Sequence, residues 1–141
     1  MQIVINRCYG TFGLSIKAFS EYCHRKGIDI TFYKFDGVKN TYEKIVSKKD
    51  ELYLSRIAFN KDYGDRFSLE EARTFEKGSI LFDGDISRDD TDLVEVIKMM
   101  GSEANGEYAD LHIVDIPDDV NWQIGEHDGL EHVEEVHRIW Q

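Results

Sequence analysis

With 141 residues, 41% hydrophobic and 32% charged, the chain has the composition of a globular protein that needs neither disulfides nor a structural metal to hold a core. Its formal charge of −11 argues against direct nucleic-acid binding, where Lys and Arg must neutralise phosphates. The apolar runs are far shorter than the ~20 residues that cross a bilayer, and Arg7 and Gly10 interrupt the first before a secretory leader can form. The expectation is therefore a cytoplasmic chain with no membrane contact.

Ile3-Val4-Ile5 reads as a first strand. The loop Asn6–Ser15 follows it, and Ser15 is a good N-cap for a helix from Ile16 to about Lys26, with Ile16, Phe19, Tyr22 and Cys23 on one apolar face. Gly27 ends that helix as a C′ glycine. Ile28 to Phe35 alternates as a half-buried strand. A strand, a helix and a second strand suggest a parallel crossover, if both strands share a sheet.

The middle is less regular. Lys39 to Asp50 is polar, Leu52 to Phe59 reads as a strand, and Asn60 to Gly78 is dense in charge. Ser68 and Glu71 have capping-box spacing, enough for one helical turn. Ile80-Leu81-Phe82 is a short strand. Further on, Asp90 can cap a helix from Thr91 that buries Leu93, Val94, Ile97 and Met100 and stops at Gly101. Leu111 to Ile116 is a strand closed by Pro117-Asp118-Asp119, Trp122-Gln123-Ile124 adds a short one broken by Gly125, and Leu130 to Trp140 has the spacing of a final helix. Together these elements predict an α/β fold over residues 1–141: one domain, a mixed and mainly parallel sheet with packed helices, and a polar, partly exposed insertion over 36–79.

Three stretches hold side chains that could do chemistry. In the first loop, Asn6, Arg7, Tyr9, Gly10, Phe12 and Gly13 lie between a strand and a helix, where α/β proteins commonly seat ligands and backbone N–H groups can hold an anion. Neither GxxxxGK[ST] nor GxGxxG is present. The alternative is that the two rings plug the core and the glycines only make the turn. In the second stretch, Asp83 to Asp90, Arg88 suits a phosphate and Asp89 a ligand hydroxyl, while Asp83 and Asp85 are weak candidates for a divalent cation. Its alternative has Asp90 as N-cap and Asp85 paired with Arg88. The third stretch, from Glu126 to His137, mixes acids and histidines, but His132 and His137 stand about 140° apart on a helix and do not make an HExxH zinc pair. Cys8 and Cys23 are expected to stay reduced, and no histidine can be set beside Cys8 from sequence to make it a nucleophile.

The segments NRCYGTFGLS, ISRDDTDLVEVIKMMG, EANG, LHIVDIPDDVNW, EHDGLEH and HRIW together resemble a family of uncharacterised small bacteriophage and prophage proteins. Members of that family read NRCYGGFGLS, IPRDDPDLVEVVEELG, ANG and LKVVEIPDDVEW, with a closing YDG and a terminal tryptophan. The likeness covers about two thirds of the chain and skips its middle. Thr11 departs from a glycine, Ser87 and Thr91 from prolines, and His127 from a tyrosine. The resemblance implies that Asn6, Arg7, Tyr9, Gly10, Phe12, Gly13, Arg88, Asp89 and Asp90 travel as a set, and it implies a phage or prophage origin.

The leading expectation is a non-catalytic binder of a small anionic, nucleotide-like ligand, sequestering a host defence signal. Arg7 and Arg88 would hold the anion, Tyr9 or Phe12 would stack on a base, and Asn6 or Asp89 would take hydroxyls. No cofactor is required. One alternative is a nucleotide- or phosphoester-processing enzyme with a divalent metal among Asp83, Asp85 and Asp89. Another is an acidic inhibitor of a basic host protein, and a homo-oligomer also stays open.

Overall fold

Antiparallel pairing, set by hairpins and by distant segments of sequence, organises this chain. The structure, a computed structural model, describes residues 1–46 and 56–136. Backbone proximity divides the chain into two units: Met1–Tyr22 with Asp83–Gln141, and Cys23–Phe82.

In the first unit, β1 (Gln2–Asn6) pairs antiparallel with β7 (Leu111–Asp115), Ile3 opposite Val114 and Ile5 opposite His112. Ile3, Val4 and Ile5 are all buried, as an uninterrupted β-branched run should be when both faces of a strand are covered. α1 (Ile16–Lys26) starts at Ser15, whose hydroxyl accepts from the Ala18 N–H at 3.1 Å. α3 (Thr91–Met100) is capped by Asp90, which accepts from the Asp92 and Leu93 N–H groups, and Gly101 stops it at φ 60°. α3 packs on β1 and β7 through Leu93, Val94, Val96 and Ile97. Both caps and both helix spans match the expectation from sequence, but Met100, expected on the buried face of α3, is half-buried and Val96 is buried instead.

β8 (Trp122–His127) and β9 (Leu130–Glu135) form a hairpin. Here the structure corrects the reading of Leu130 onward as a helix: residues 130–135 are a strand, and 137–140 lie outside the described residues. Leu130, Val133 and Val136 do fit a helical spacing, but Asp128-Gly129 is a two-residue turn with both residues at positive φ, 50° and 88°. Asp-Gly between alternating strands is among the strongest short-range hairpin signals. Gly125 does not break β8 either: it lies inside it, with the His132 ring across its missing side chain.

The second unit is a five-stranded antiparallel sheet in the order β5-β3-β2-β4-β6, from β2 (Thr31–Asp36), β3 (Thr41–Lys44), β4 (Arg56–Phe59), β5 (Arg66–Ser68) and β6 (Ile80–Leu81). The expected strand at Leu52 to Phe59 is seen from Arg56 onward, its first part lying outside the described residues. Ser68 and Glu71 form the capping box of α2 (Leu69–Ala72). The core is aromatic. Tyr33, Tyr42, Phe59 and Phe67 are buried together, Tyr33 meets Phe59 edge-on at 5.2 Å, and Tyr63 stacks on Phe75 at 3.9 Å. Such pairs add about 0.5–1.5 kcal/mol each beyond the area they bury. Tyr33 is fully buried, yet its hydroxyl is satisfied: it donates to the Gly64 carbonyl at 2.8 Å and accepts from the Tyr63 N–H at 2.9 Å. The charge-dense stretch from Asn60 to Gly78 thus supplies Tyr63, Phe67 and Phe75 to this core.

The mainly parallel α/β sheet is overturned. Every strand pairing among the described residues is antiparallel, in three separate sheets. The crossover reading failed at its premise, because β1 and β2 belong to different sheets.

Candidate functional site

The loop between β1 and α1 is closed along its length by the segment from Glu103 to Asp110. Arg7 N–H donates to the Asp110 carbonyl (2.8 Å), Thr11 N–H to Tyr108 (3.0 Å), and Ser15 N–H to Ala104 (2.9 Å), while Gly106 N–H returns to Gly13 (2.8 Å). Leu14 N–H donates to Asp83 Oδ2 at 2.9 Å. These donors are the ones an anion would need, and the fold uses them internally.

Gly10 in the loop, and Gly106 and Gly129 facing it, serve close backbone approach, whereas a Cβ on Gly13 would meet only Asp83 Oδ2 at an ordinary 3.7 Å. A Cβ on Gly10 would stand 2.0 Å from the Tyr108 carbonyl oxygen, and one on Gly106 2.8 Å from that of Gly13. A Cβ on Gly129, at the hairpin tip, would stand 1.6 Å from the Gly10 carbonyl oxygen. Three chain segments meet here with no room for side chains between them.

Asn6 is the polar centre of this junction and is fully buried. Its Nδ2 donates to the carbonyls of Gly129 (2.9 Å) and Cys8 (3.2 Å), and its Oδ1 accepts from Asp110 N–H (2.8 Å) and Cys8 Sγ (3.2 Å). One amide side chain therefore ties β1 to its own loop, to the start of β7 and to the β8–β9 turn. Cys8 Sγ also lies 3.1 Å from the Tyr108 carbonyl, so the thiol sits as a donor between two oxygens.

The structure brings the two predicted loops together, and it closes the junction with a residue missed from sequence. Arg88 forms a double contact with Glu131 of β9: Nη1 to Oε1 at 2.7 Å and Nη2 to Oε2 at 2.9 Å. Nη1 also reaches the Val4 carbonyl at 3.2 Å, and the guanidinium carbon lies 3.6 Å from the centre of the Phe12 ring. Glu131 accepts the Asn6 N–H as well, at 2.7 Å. The side chains of Arg88 and Glu131 are only 17% and 9% exposed. Arg88 is thus paired with Glu131 and not with Asp85, whereas Asp90 caps α3 as expected. Phe12 is half-buried beneath the guanidinium.

Arg7 and Tyr9 remain open to solvent, Tyr9 at 74%, and Tyr108 beside them is 54% exposed. Asp89 is exposed and accepts from the Ser87 hydroxyl. Asp83 holds the Leu14 amide, and Asp85 lies exposed in the same short 3-10 turn, Asp83–Asp85. Among the described residues no group of three His, Cys, Asp or Glu side chains is placed to hold a metal ion. In the histidine-rich stretch, His132 pairs instead with Glu134 at 2.8 Å, and Gln123 donates to the same carboxylate across the hairpin. These two contacts hold Glu134 below the usual carboxylate range, the histidine contributing most. His137 lies outside the described residues.

Charge divides unevenly between the units. The first has 18 Asp and Glu against 5 Lys and Arg, a formal −13, and the second has 10 against 12, a formal +2, which together give the −11 of the chain. No helix among the described residues is long and apolar enough to cross a membrane. Comparisons with protein-family models, curated proteins and solved structures return no match.

Proposed function

We propose that this protein is a non-catalytic binding module whose acidic unit engages a basic surface on a partner protein. The observation that carries this reading is the formal charge of −13 on the unit Met1–Tyr22 with Asp83–Gln141, against +2 on the other. A surface so strongly of one sign steers a basic partner toward it and repels acidic ones. The internal use of Asn6 and Arg88 adds support, since one group expected to grip a small anion and one expected to take its hydroxyls are held by the fold. The resemblance to small phage and prophage proteins favours a host protein as partner, met in the host cytoplasm, with counter-defence as the outcome.

The test is capture of bacterial lysate proteins on the immobilised chain across a salt series. A parallel chain carries Asp119→Asn, Glu126→Gln, Glu134→Gln and Glu135→Gln. A basic protein should bind the parent chain, weaken as ionic strength passes ~0.15 M, where screening shortens to about 8 Å, and bind the neutralised chain less. Capture indifferent to both salt and neutralisation refutes the reading.

A second reading rests on Arg7 and Tyr9, which stay exposed two residues apart and offer a cation and a stacking face to a small anionic, nucleotide-like ligand. Denaturation midpoints measured with nucleotides and cyclic dinucleotides test it. An increase that Arg7→Ala abolishes supports it, and no shift with any of them removes it.

A further inference from the structure

Behind the β8–β9 hairpin, on the acidic unit, lies a groove of about 230 Å³ lined by the apolar side chains of Ile116, Pro117, Val120, Trp122 and Val133. Glu134 and Glu135 complete its lining. Trp122 faces Glu135 across the hairpin and Ile124 faces Val133, so the indole, the Glu135 side chain and Val133 share one face of the ladder, while Gln123 and Glu134 face each other on the other. Asp119 belongs to the turn between Pro117 and Val120 and is exposed. No Lys or Arg lines this groove among the described residues, and the contacts of Glu134 are to His132 and Gln123.

We infer that this groove receives one apolar side chain of a partner segment whose neighbouring residues are Lys or Arg. The inference rests on the proposal of a basic partner and says where that partner is gripped. Its two halves come from different features of the groove. The apolar floor gives a buried side chain something to pack against, and the acidic margin sets the sign of whatever flanks it. A purely apolar segment would leave the Glu135 carboxylate facing bare hydrocarbon, and an acidic segment would meet like charge.

The chain has two tryptophans, Trp122 and Trp140, so Trp140→Phe leaves Trp122 as the single fluorescent reporter inside the groove. The probes are three nine-residue peptides: lysines around a central leucine, the same lysines around a central serine, and serines around the leucine. The lysine–leucine peptide should shift Trp122 emission to the blue in a saturable way and bind at least about tenfold more tightly than either control, the contribution expected of one buried leucine. Val133→Lys, which puts a cation into the floor, should weaken it by at least about tenfold. Glu135→Lys at the exposed margin changes no buried side chain and should weaken it too.

Equal binding of the two lysine peptides overturns the groove while leaving a generally acidic binding surface in place. Equal binding of the two leucine peptides overturns the basic partner segment. No binding of either lysine peptide overturns the groove together with the function proposed above.

Discussion

Replacing Glu131 by Gln keeps the shape of a side chain that three segments rely on and removes only its charge. Arg88 would then be left 17% exposed with no carboxylate, holding the Val4 carbonyl and the Phe12 ring. Breaking one side of a buried ion pair costs about 3–5 kcal/mol, mostly from the stranded charge. The amide oxygen of Gln can still accept from Asn6 N–H and from one Arg88 nitrogen, which points to the lower end, about 3 kcal/mol. For a unit of this size that lowers the midpoint by roughly 12 °C or more.

Both tryptophans belong to the first unit, so their fluorescence during denaturation reports that unit and not the aromatic core of the second. The double variant Arg88→Met with Glu131→Leu removes both charges and should be more stable than Glu131→Leu alone, because it leaves no stranded charge and loses only the neutral partners of the Asn6 N–H and the Val4 carbonyl. A loss below about 1 kcal/mol for Glu131→Gln would mean that the pair behaves as a solvated surface bridge. Simple additivity in the double variant would mean that the two groups do not act on each other. Either result refutes the account of the junction.

Gly129→Ala should destabilise the first unit far more than Gly78→Ala does the second: both glycines have φ near 90°, but an added Cβ meets the Gly10 carbonyl oxygen at 1.6 Å in one case and nothing within 4 Å in the other. Gly78→Ala reports backbone strain alone, about 1–2 kcal/mol, and equal losses in chemical denaturation would show that the close approach is absent. In the second unit, the Lys44 ammonium at 2.7 Å, followed by the Gly64 N–H, holds the Asp62 carboxyl below its ordinary value of 3.8, and the same contact holds Lys44 above 10.5. Asp62 then contributes stability that is present above about pH 4 and lost as pH falls through its lowered value, whereas the Lys44 contribution is lost only as pH rises past about 10.4. A carboxyl NMR titration of Asp62 should show a midpoint under 3.8, and a midpoint at or above it contradicts the contact. Burial pushes the Cys23 thiol up to about 11, so at neutral pH a thiol reagent should label Cys8 first and Cys23 only on unfolding. Equal labelling rates would show Cys23 to be accessible.

Local signals in the sequence identified the helix caps, though not the strand from Leu130. Ser15, Asp90 and the Ser68–Glu71 pair cap the helices they were expected to cap, because a cap is decided within four residues. Sheet pairing was not legible in the same way. Ile3-Val4-Ile5 announced a buried strand, but nothing near it names β7, more than a hundred residues away, as its partner. The aromatic core of the second unit was hidden because Tyr33, Tyr42, Phe59 and Phe67 recur at no fixed period among charges. Glu131 could have been found. Once Asp128-Gly129 is taken as a hairpin turn, strand alternation puts Glu131 on the side of Val133, and an inward carboxylate requires a cation.

That carboxylate changes what the motif set means. Asn6, Gly10 and Arg88 belong to the set that the resemblance to phage proteins singles out, and sequence alone reads them as ligand groups. At this junction, however, packing itself requires glycines where backbones touch, and an amide and an ion pair where several chain ends bring unpaired N–H and C=O groups inside. Residues that hold such a junction would vary together for stability alone, so the set that the resemblance implies carries no information about a ligand. What packing does not account for is the rest: Arg7, Tyr9 and Tyr108 in solvent, and an apolar groove with Glu135 at its edge. Substitutions at those positions should leave the fold intact and change binding, while substitutions at the junction should do the reverse.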